Sequence, residues 1–229
     1  TLPPAPTLKL CQLMTPRSVV WVTVVRFQQP NAGSWTLNRV VTSDPSVIAG
    51  RIQANGGVAI VNQSGIVFSQ GAQVDVGSLI ASAPGITNEN FMAGRMRFDQ
   101  AARPGARVEN RGRIAVPDRG IVVLAGPRVT NSGEIHARLG RVVLAGAETY
   151  ALDLAGDGLL SIDITQAVRG DGAAVVTNEG VIEANGGNVL LPYSTAKLSL
   201  RVPPTGDADT ARAAIKAALE QNPPYNAQV

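Results

Sequence analysis

Val108-Glu-Asn110-Arg-Gly112-Arg-Ile114 recurs as Val129-Thr-Asn131-Ser-Gly133-Glu-Ile135, and again as Val176-Thr-Asn178-Glu-Gly180-Val-Ile182. Each copy runs through a turn into a second apolar stretch: Ile121-Val-Val-Leu-Ala-Gly126, Arg141-Val-Val-Leu-Ala-Gly146 and Asn188-Val-Leu-Leu191. An earlier echo at residues 51–60, Arg-Ile-Gln-Ala-Asn-Gly-Gly-Val-Ala-Ile, reads almost as residues 181–190, Val-Ile-Glu-Ala-Asn-Gly-Gly-Asn-Val-Leu. Asn110 and Asn131 lie 21 residues apart. Asn131 and Asn178 lie 47 apart, a spacing that suggests two further turns plus an insertion around residues 150–164.

A unit of two short strands and a turn has too little apolar surface to fold alone, so it must stack on copies of itself. Short strands, a corner after each and a period near 20 suit the rungs of a parallel β-helix, one rung about 4.8 Å above the last. Asn and Gly at the corners tolerate positive φ, and an Asn amide can satisfy backbone groups that a turn frees. Alternating Val, Ile and Leu then point into a narrow core. A sandwich or propeller needs longer strands joined by hairpins. The sequence therefore predicts an all-β parallel β-helix, a solenoid.

The two ends depart from this pattern. Residues 1–25 are proline-rich and read as an atypical, irregular N-terminal segment; residues 26–200 carry the coil; residues 201–229 read as a linker with a short helix. That helix, over residues 209–221, has Asp209 as its cap and Pro223-Pro224 as its stop.

Composition agrees with β structure: 16% of residues are charged and 4% aromatic, against 24 Gly and 15 Pro. The net charge is +3. The richest basic stretch, residues 103–113, holds no aromatic that could stack on a base, so a solvated face is the reading and nucleic acid is not an expected partner. With one cysteine, Cys11, no internal disulfide can form. The longest apolar run, residues 18–25, is far short of the roughly 20 residues that span a bilayer. It also lacks the basic start and cleavage site of a signal peptide, so an export signal is expected upstream of residue 1.

Several stretches in a fixed order carry a family resemblance: Phe27-Gln-Gln-Pro-Asn-Ala-Gly-Ser-Trp-Thr-Leu-Asn-Arg-Val-Val41, then Asp44-Pro-Ser-Val-Ile-Ala-Gly50, Val61-Asn-Gln-Ser-Gly-Ile-Val-Phe68, Gly71-Ala-Gln-Val-Asp-Val-Gly-Ser-Leu-Ile-Ala-Ser82 and the Leu-Ala-Gly repeats. Together they resemble the two-partner-secretion domain of filamentous haemagglutinins, large adhesins and haem-utilisation exoproteins. The resemblance implies a right-handed parallel β-helix at the N-terminus of a large exoprotein of a Gram-negative bacterium. It also implies recognition in the periplasm by an outer-membrane two-partner transporter, and folding at the cell surface, where the domain templates later coils.

The family signature Asn-Pro-Asn-Gly-Ile/Val stands here as Asn62-Gln63-Ser64-Gly65-Ile66, so Asn62, Gly65 and Ile66 carry over, and Ser64 is expected to supply an Asn-like turn bond. With Asn38 and Arg39 these form the expected recognition and fold motif. The alternative is an autonomous surface adhesin, or a β-helix that binds haem or host glycans, with the host-cell surface as partner. A monomer is expected.

No catalytic, cofactor or metal set is expected. His136 is the single histidine and reads as a solvent-facing strand residue, not a general base. Cys11 has no histidine near it in sequence. No nucleophile elbow or phosphate-binding loop occurs, and the clustered charges of a lyase-type β-helix are missing at repeat spacing. Asp157-Gly158 and Asp171-Gly172 lack the repeated spacing of calcium-binding rolls. Arg169-Gly170-Asp171 spells an integrin-binding tripeptide, but Gly170 and Gly172 make it an ordinary turn, with adhesion as the weaker reading.

Overall fold

The structure, a computed structural model, describes residues 24–153, 161–168, 175–184 and 217, together with the backbone of residues 8–13. The chain divides into two compact units, Thr1–Tyr193 and Ser194–Val229; the fold below is that of the first. Of the helix expected over residues 209–221, only Ala217, helical and exposed, falls within the described residues.

Nineteen strands and one short helix follow one another in the described chain. They are β1 (Leu8–Leu13), β2 (Val24–Phe27) and β3 (Trp35–Val40), then the rung β4 (Ser46–Ile48), β5 (Arg51–Ala54) and β6 (Gly57–Val61). The next rung is β7 (Ile66–Phe68), β8 (Gln73–Asp75) and β9 (Ser78–Ser82), followed by an excursion with α1 (Asn88–Met92) and β10 (Met96–Phe98). Two rungs come after it: β11 (Val108–Asn110), β12 (Arg113–Ala115) and β13 (Ile121–Gly126), then β14 (Val129–Asn131), β15 (Glu134–His136) and β16 (Arg141–Asp153). A second excursion holds β17 (Ser161–Ala167), and β18 (Val176–Asn178) with β19 (Val181–Glu183) ends the described coil.

Three parallel sheets form the faces of the coil. One runs β1-β3-β6-β9-β13-β16, a second β18-β14-β11-β7-β4 and a third β19-β15-β12-β8-β5-β2. The sequence repeat becomes columns of paired residues: Val108 beside Val129 beside Val176, and Asn110 beside Asn131 beside Asn178. The start of the echo between residues 51–60 and 181–190 is structural too, since Ile52, Val74, Ile114, Ile135 and Ile182 share one column of the third sheet; residues 185–190 lie outside the described residues. Each isoleucine or valine buried there contributes roughly 1.5–3 kcal/mol.

Three expectations change. Asn131 and Asn178 are direct neighbours, so the 47 residues between them are one rung and one excursion, not two further rungs. Residues 8–13, read as irregular, form β1, which pairs in parallel with β3 over its whole length. Prolines at positions 3, 4, 6 and 16 flank this strand, and residues 8–13 match none of the repeat units, so it did not stand out.

The third change concerns the corner glycines at 112, 133 and 180, whose φ is not positive. They are glycine because the rungs touch there. A Cβ on Gly133 would sit 2.2 Å from the Gly112 carbonyl oxygen, and one on Gly180 would sit 2.0 Å from that of Gly133. In these rungs the left-handed corners lie instead at Arg119 (φ 65°) and Leu139 (φ 54°), while Gly65, at an earlier corner, does take a positive φ.

The first sheet differs from its neighbours in burial. In β12 and β15 single isoleucines point in and their neighbours out. In β6 all five residues are buried, and in β13 all but the first. Strands buried on both faces read as continuous apolar runs, which is why Val-Val-Leu-Ala-Gly repeats without alternation. Val58, Ile60, Leu79, Val122 and Leu124 face the coil core. Ala59, Val61, Ile80, Val123 and Val143 face outward into a second core.

The excursions cover that outer face. Here β16 runs on past its rung and pairs antiparallel with β10 on one side and β17 on the other. Phe98 stacks on Tyr150 with ring centroids 4.6 Å apart and planes 9° from parallel. Thr87 caps α1, its Oγ1 accepting from the Asn90 N–H at 3.0 Å, and so sets Phe91 into the same core.

Candidate functional site

The signature corner, residues 62–66, turns the chain from the first sheet into the second. Asn62 is fully buried and carries the turn. Its Nδ2 donates to the Asp44 carbonyl at 3.0 Å and to Ser46 Oγ at 2.8 Å, while its Oδ1 accepts from the Ser64 N–H at 2.9 Å. One side chain thus ties the corner to the rung before it and closes its own turn.

Gly65 has φ 110°, and a Cβ there would lie 2.7 Å from the Arg107 carbonyl oxygen, so both conformation and contact require glycine. Ile66 is fully buried, and its N–H donates to the Arg107 carbonyl at 2.9 Å.

Ser64 does not make the Asn-like turn bond expected of it; Asn62 makes the turn bond instead. The Ser64 hydroxyl accepts from Arg103 Nη1 at 2.9 Å, and Gln63 Nε2 donates to the Ala101 carbonyl at 2.8 Å. The residues that depart from the family pattern are therefore the ones that grip the return of the first excursion. Arg103 is a participant that sequence reading passed over as part of a basic face; its only signal was proximity to the repeat start at Val108. The rest of that basic stretch is paired with acids: Arg107 and Arg111 with Glu109, and Arg113 with Asp75. The guanidinium of Arg111, with that of Arg107, holds the Glu109 carboxyl below its ordinary pKa.

Asn38 and Arg39 lie in β3, on opposite faces. Asn38 is paired in register with the inward-facing Ile60 and is 3% exposed, and neither of its amide atoms has a hydrogen-bond partner among the described residues. Arg39 points outward and is half-buried, donating from Nη1 to Asn88 Oδ1 and from Nη2 to the Ile86 carbonyl. Burial lowers its guanidinium pKa from the ordinary value. Arg39 thereby bolts the start of α1 to the coil.

The five expected residues do not converge into one exposed patch. The structure brings Arg39 together with Gln63 of the corner: both line a cleft of about 130 Å³ shared with Val61, Thr42, Gln100 and Arg103. Asn38, Asn62, Gly65 and Ile66 are buried.

His136 stands between two carboxylates, with Nδ1 2.9 Å from Glu183 Oε2 and Nε2 3.1 Å from Glu134 Oε2. The hydrogen bond to Glu183, then that to Glu134, raises its pKa above the ordinary value. Arg169, Gly170 and Asp171 lie outside the described residues, as does the Cys11 side chain; by backbone register Cys11 pairs with Asn38. Among the described residues, no group of His, Cys, Asp or Glu is placed to hold a metal ion, and no helix is long and apolar enough to cross a membrane.

Known proteins align with this arrangement in sequence and in fold. The heme/hemopexin-binding protein of Haemophilus influenzae strain Rd is 35% identical over 170 residues, 70% of this chain and 18% of that protein. A second Haemophilus influenzae heme/hemopexin-binding protein is 40% identical over 58 residues, 25% of this chain and 6% of that protein. The chain thus spans less than a fifth of the length of these relatives. The crystal structure of the HMW1 secretion domain from Haemophilus influenzae superposes with a TM-score of 0.64 at 30% identity, covering 73% of this chain and 44% of that one.

The family described as TPS secretion domain matches residues 18–224. Such a domain marks a secreted or cell-surface exoprotein of Gram-negative bacteria and implies an outer-membrane TPS transporter as its partner. On this agreement of repeat, coil and corner, the chain belongs to the TPS secretion domain family.

Proposed function

We propose that this chain is the secretion module of a larger exoprotein, addressed through the periplasm to an outer-membrane transporter before it folds, and that it then templates the coil that follows. The observation that carries the reading is the burial of Asn38, Asn62, Gly65 and Ile66. A partner cannot touch these side chains once the coil has closed, so their part in secretion is either read from the unfolded chain or exerted through folding.

Rung-on-rung pairing supports the templating role, since β14 builds on β11 and β11 on β7 through the same residue columns. Each rung adds its hydrogen bonds to a surface that is already ordered, which spares the entropy of nucleating it afresh.

The test is co-expression with the cognate transporter, reading the secreted fraction of the parent and of Asn62→Ile. Secretion should fall at least tenfold. Parent-like secretion of a variant that lacks all three Asn62 side-chain bonds would remove the corner from the export signal.

The alternative of an autonomous haem or glycan binder takes its support from the names of the relatives. The secretion reading is preferred because the TPS secretion domain family matches residues 18–224, whereas the chain spans only 18% and 6% of the relatives named for heme/hemopexin binding.

A further inference from the structure

Most arginines near the first excursion have an acid beside them: Arg95 pairs with Glu89, Arg97 with Asp99, Arg107 and Arg111 with Glu109, and Arg113 with Asp75. Arg39 and Arg103 differ. Both line the cleft of about 130 Å³ beside the signature corner, and every acceptor they reach is neutral. Arg39 donates to Asn88 Oδ1 and the Ile86 carbonyl, and Arg103 donates to Ser64 Oγ at 2.9 Å and the Thr42 carbonyl at 3.3 Å. Among the described residues no acid lines the cleft; the remaining side chains are Val40, Val41, Thr42, Val61, Gln63 and Gln100.

Two guanidiniums that cannot lose their protons therefore share a small space without a counter-ion. Arg39 is half-buried, where an unpaired charge costs more than at an open surface. The volume is below the roughly 300–1,000 Å³ of small-molecule and cofactor sites, so one side chain is a better match than a bulky ligand. Guanidinium forks suit a planar carboxylate and can bind it through two hydrogen bonds. Val41, 46% exposed, offers an apolar wall for the methylene stem of such a side chain.

We propose that this cleft receives a carboxylate, and that its occupant is an aspartate or glutamate side chain of a protein that meets the folded domain. The Gln63 and Ser64 departures from the family signature then take on a second role, since they position Arg103 and the floor of the cleft. The proposal does not depend on the secretion reading, because it concerns the coil after folding.

Two measurements on the full chain test it. The first supplies the carboxylate in cis. Gln100→Glu, at a position exposed in the fold, should raise the unfolding midpoint by about 2–4 °C, as roughly 1 kcal/mol does in a chain of this size. Gln100→Met should not raise it, and 0.5 M NaCl should erase the gain. A midpoint that does not rise with Gln100→Glu overturns the receptor.

The second measurement titrates the parent with a capped Gly-Glu-Gly peptide and its Gly-Gln-Gly analogue, following the side-chain Nε–H resonances of Arg39 and Arg103. Saturable shifts with the glutamate peptide alone, lost in Gln100→Glu, are expected. Equal shifts with both peptides overturn carboxylate recognition. Shifts with N-acetylneuraminic acid but with neither peptide overturn a protein side chain as the occupant.

Discussion

Asn110 donates its side-chain amide to Asn131 across 21 residues of chain, Nδ2 to Oδ1 at 2.8 Å, and Asn131 passes the same bond to Asn178 at 2.7 Å. Three rungs are thus joined by a ladder of amides running along the coil, while the Asn110 Oδ1 also accepts from the Gly112 N–H at 3.1 Å. Asn131 is fully buried and serves as both donor and acceptor. Asn131→Ala should therefore cost about 2 kcal/mol, because it takes from the buried Asn110 amide its short acceptor and leaves it only the Glu134 carbonyl at 3.5 Å, while the exposed Asn178 turns to water. Urea unfolding measures the loss; a cost under 1 kcal/mol would mean that the ladder is ornamental.

Two glycine substitutions separate contact from conformation. Gly133→Ala drives a Cβ to 2.2 Å from the Gly112 carbonyl and should destabilise by about 3 kcal/mol or prevent folding. Gly94→Ala meets nothing within 4 Å and pays only for its φ of 72°, about 1 kcal/mol. Thermal unfolding of the pair should rank them in that order.

The coil should be most stable between about pH 4.5 and 6.5. His136 has a raised pKa in the fold, so its contribution is complete below the unfolded value of 6.5 and is lost as pH rises through the higher folded value. Its neighbours Glu134 and Glu183 favour the charged ring, and Arg113 opposes it. Glu109 has a lowered pKa, so its contribution is complete above 4.5 and is lost as pH falls through the lower folded value. In denaturant titrations across pH, His136→Gln should flatten the alkaline limb and leave the acid limb in place.

Asn38 and Asn62 should respond in opposite senses to the same change. Asn38→Val removes a buried amide that has no hydrogen-bond partner among the described residues and should stabilise by about 1 kcal/mol. Asn62→Val removes three bonds and should cost about 3 kcal/mol. Equal effects would show that hydrogen bonding is not what distinguishes the two positions.

How much of this was legible in the sequence follows from the range of the interactions. The columns of Val108, Asn110 and Ile114 were readable because neighbouring rungs repeat the same environment every 21 residues, so the chain repeats the same residues. The covering layer was not. Phe98 comes from the first excursion and Tyr150 from the extension of β16, neither of which repeats, and their only trace is the absence of alternation in Val-Val-Leu-Ala-Gly. The cleft was half legible: Arg39 and the corner were singled out, but Arg103 reaches Ser64 from 39 residues away, a contact that no local pattern encodes. β1 escaped notice because it pairs with β3 without carrying any residue of the repeat, so nothing in its sequence aligned it with a rung.

The extension of β16 beyond its rung gives assembly a clock. Met96, Arg97 and Phe98 precede by more than fifty residues the partners they pair with, Leu152, Ala151 and Tyr150, which belong to a later rung. Until those arrive, the outward side of β6, β9 and β13 keeps Ile80 and Val123 without their lid. Closure of the clasp therefore reports that the rung beneath β16 is already in place, and a chain stalled earlier carries an open greasy flank that marks it as unfinished.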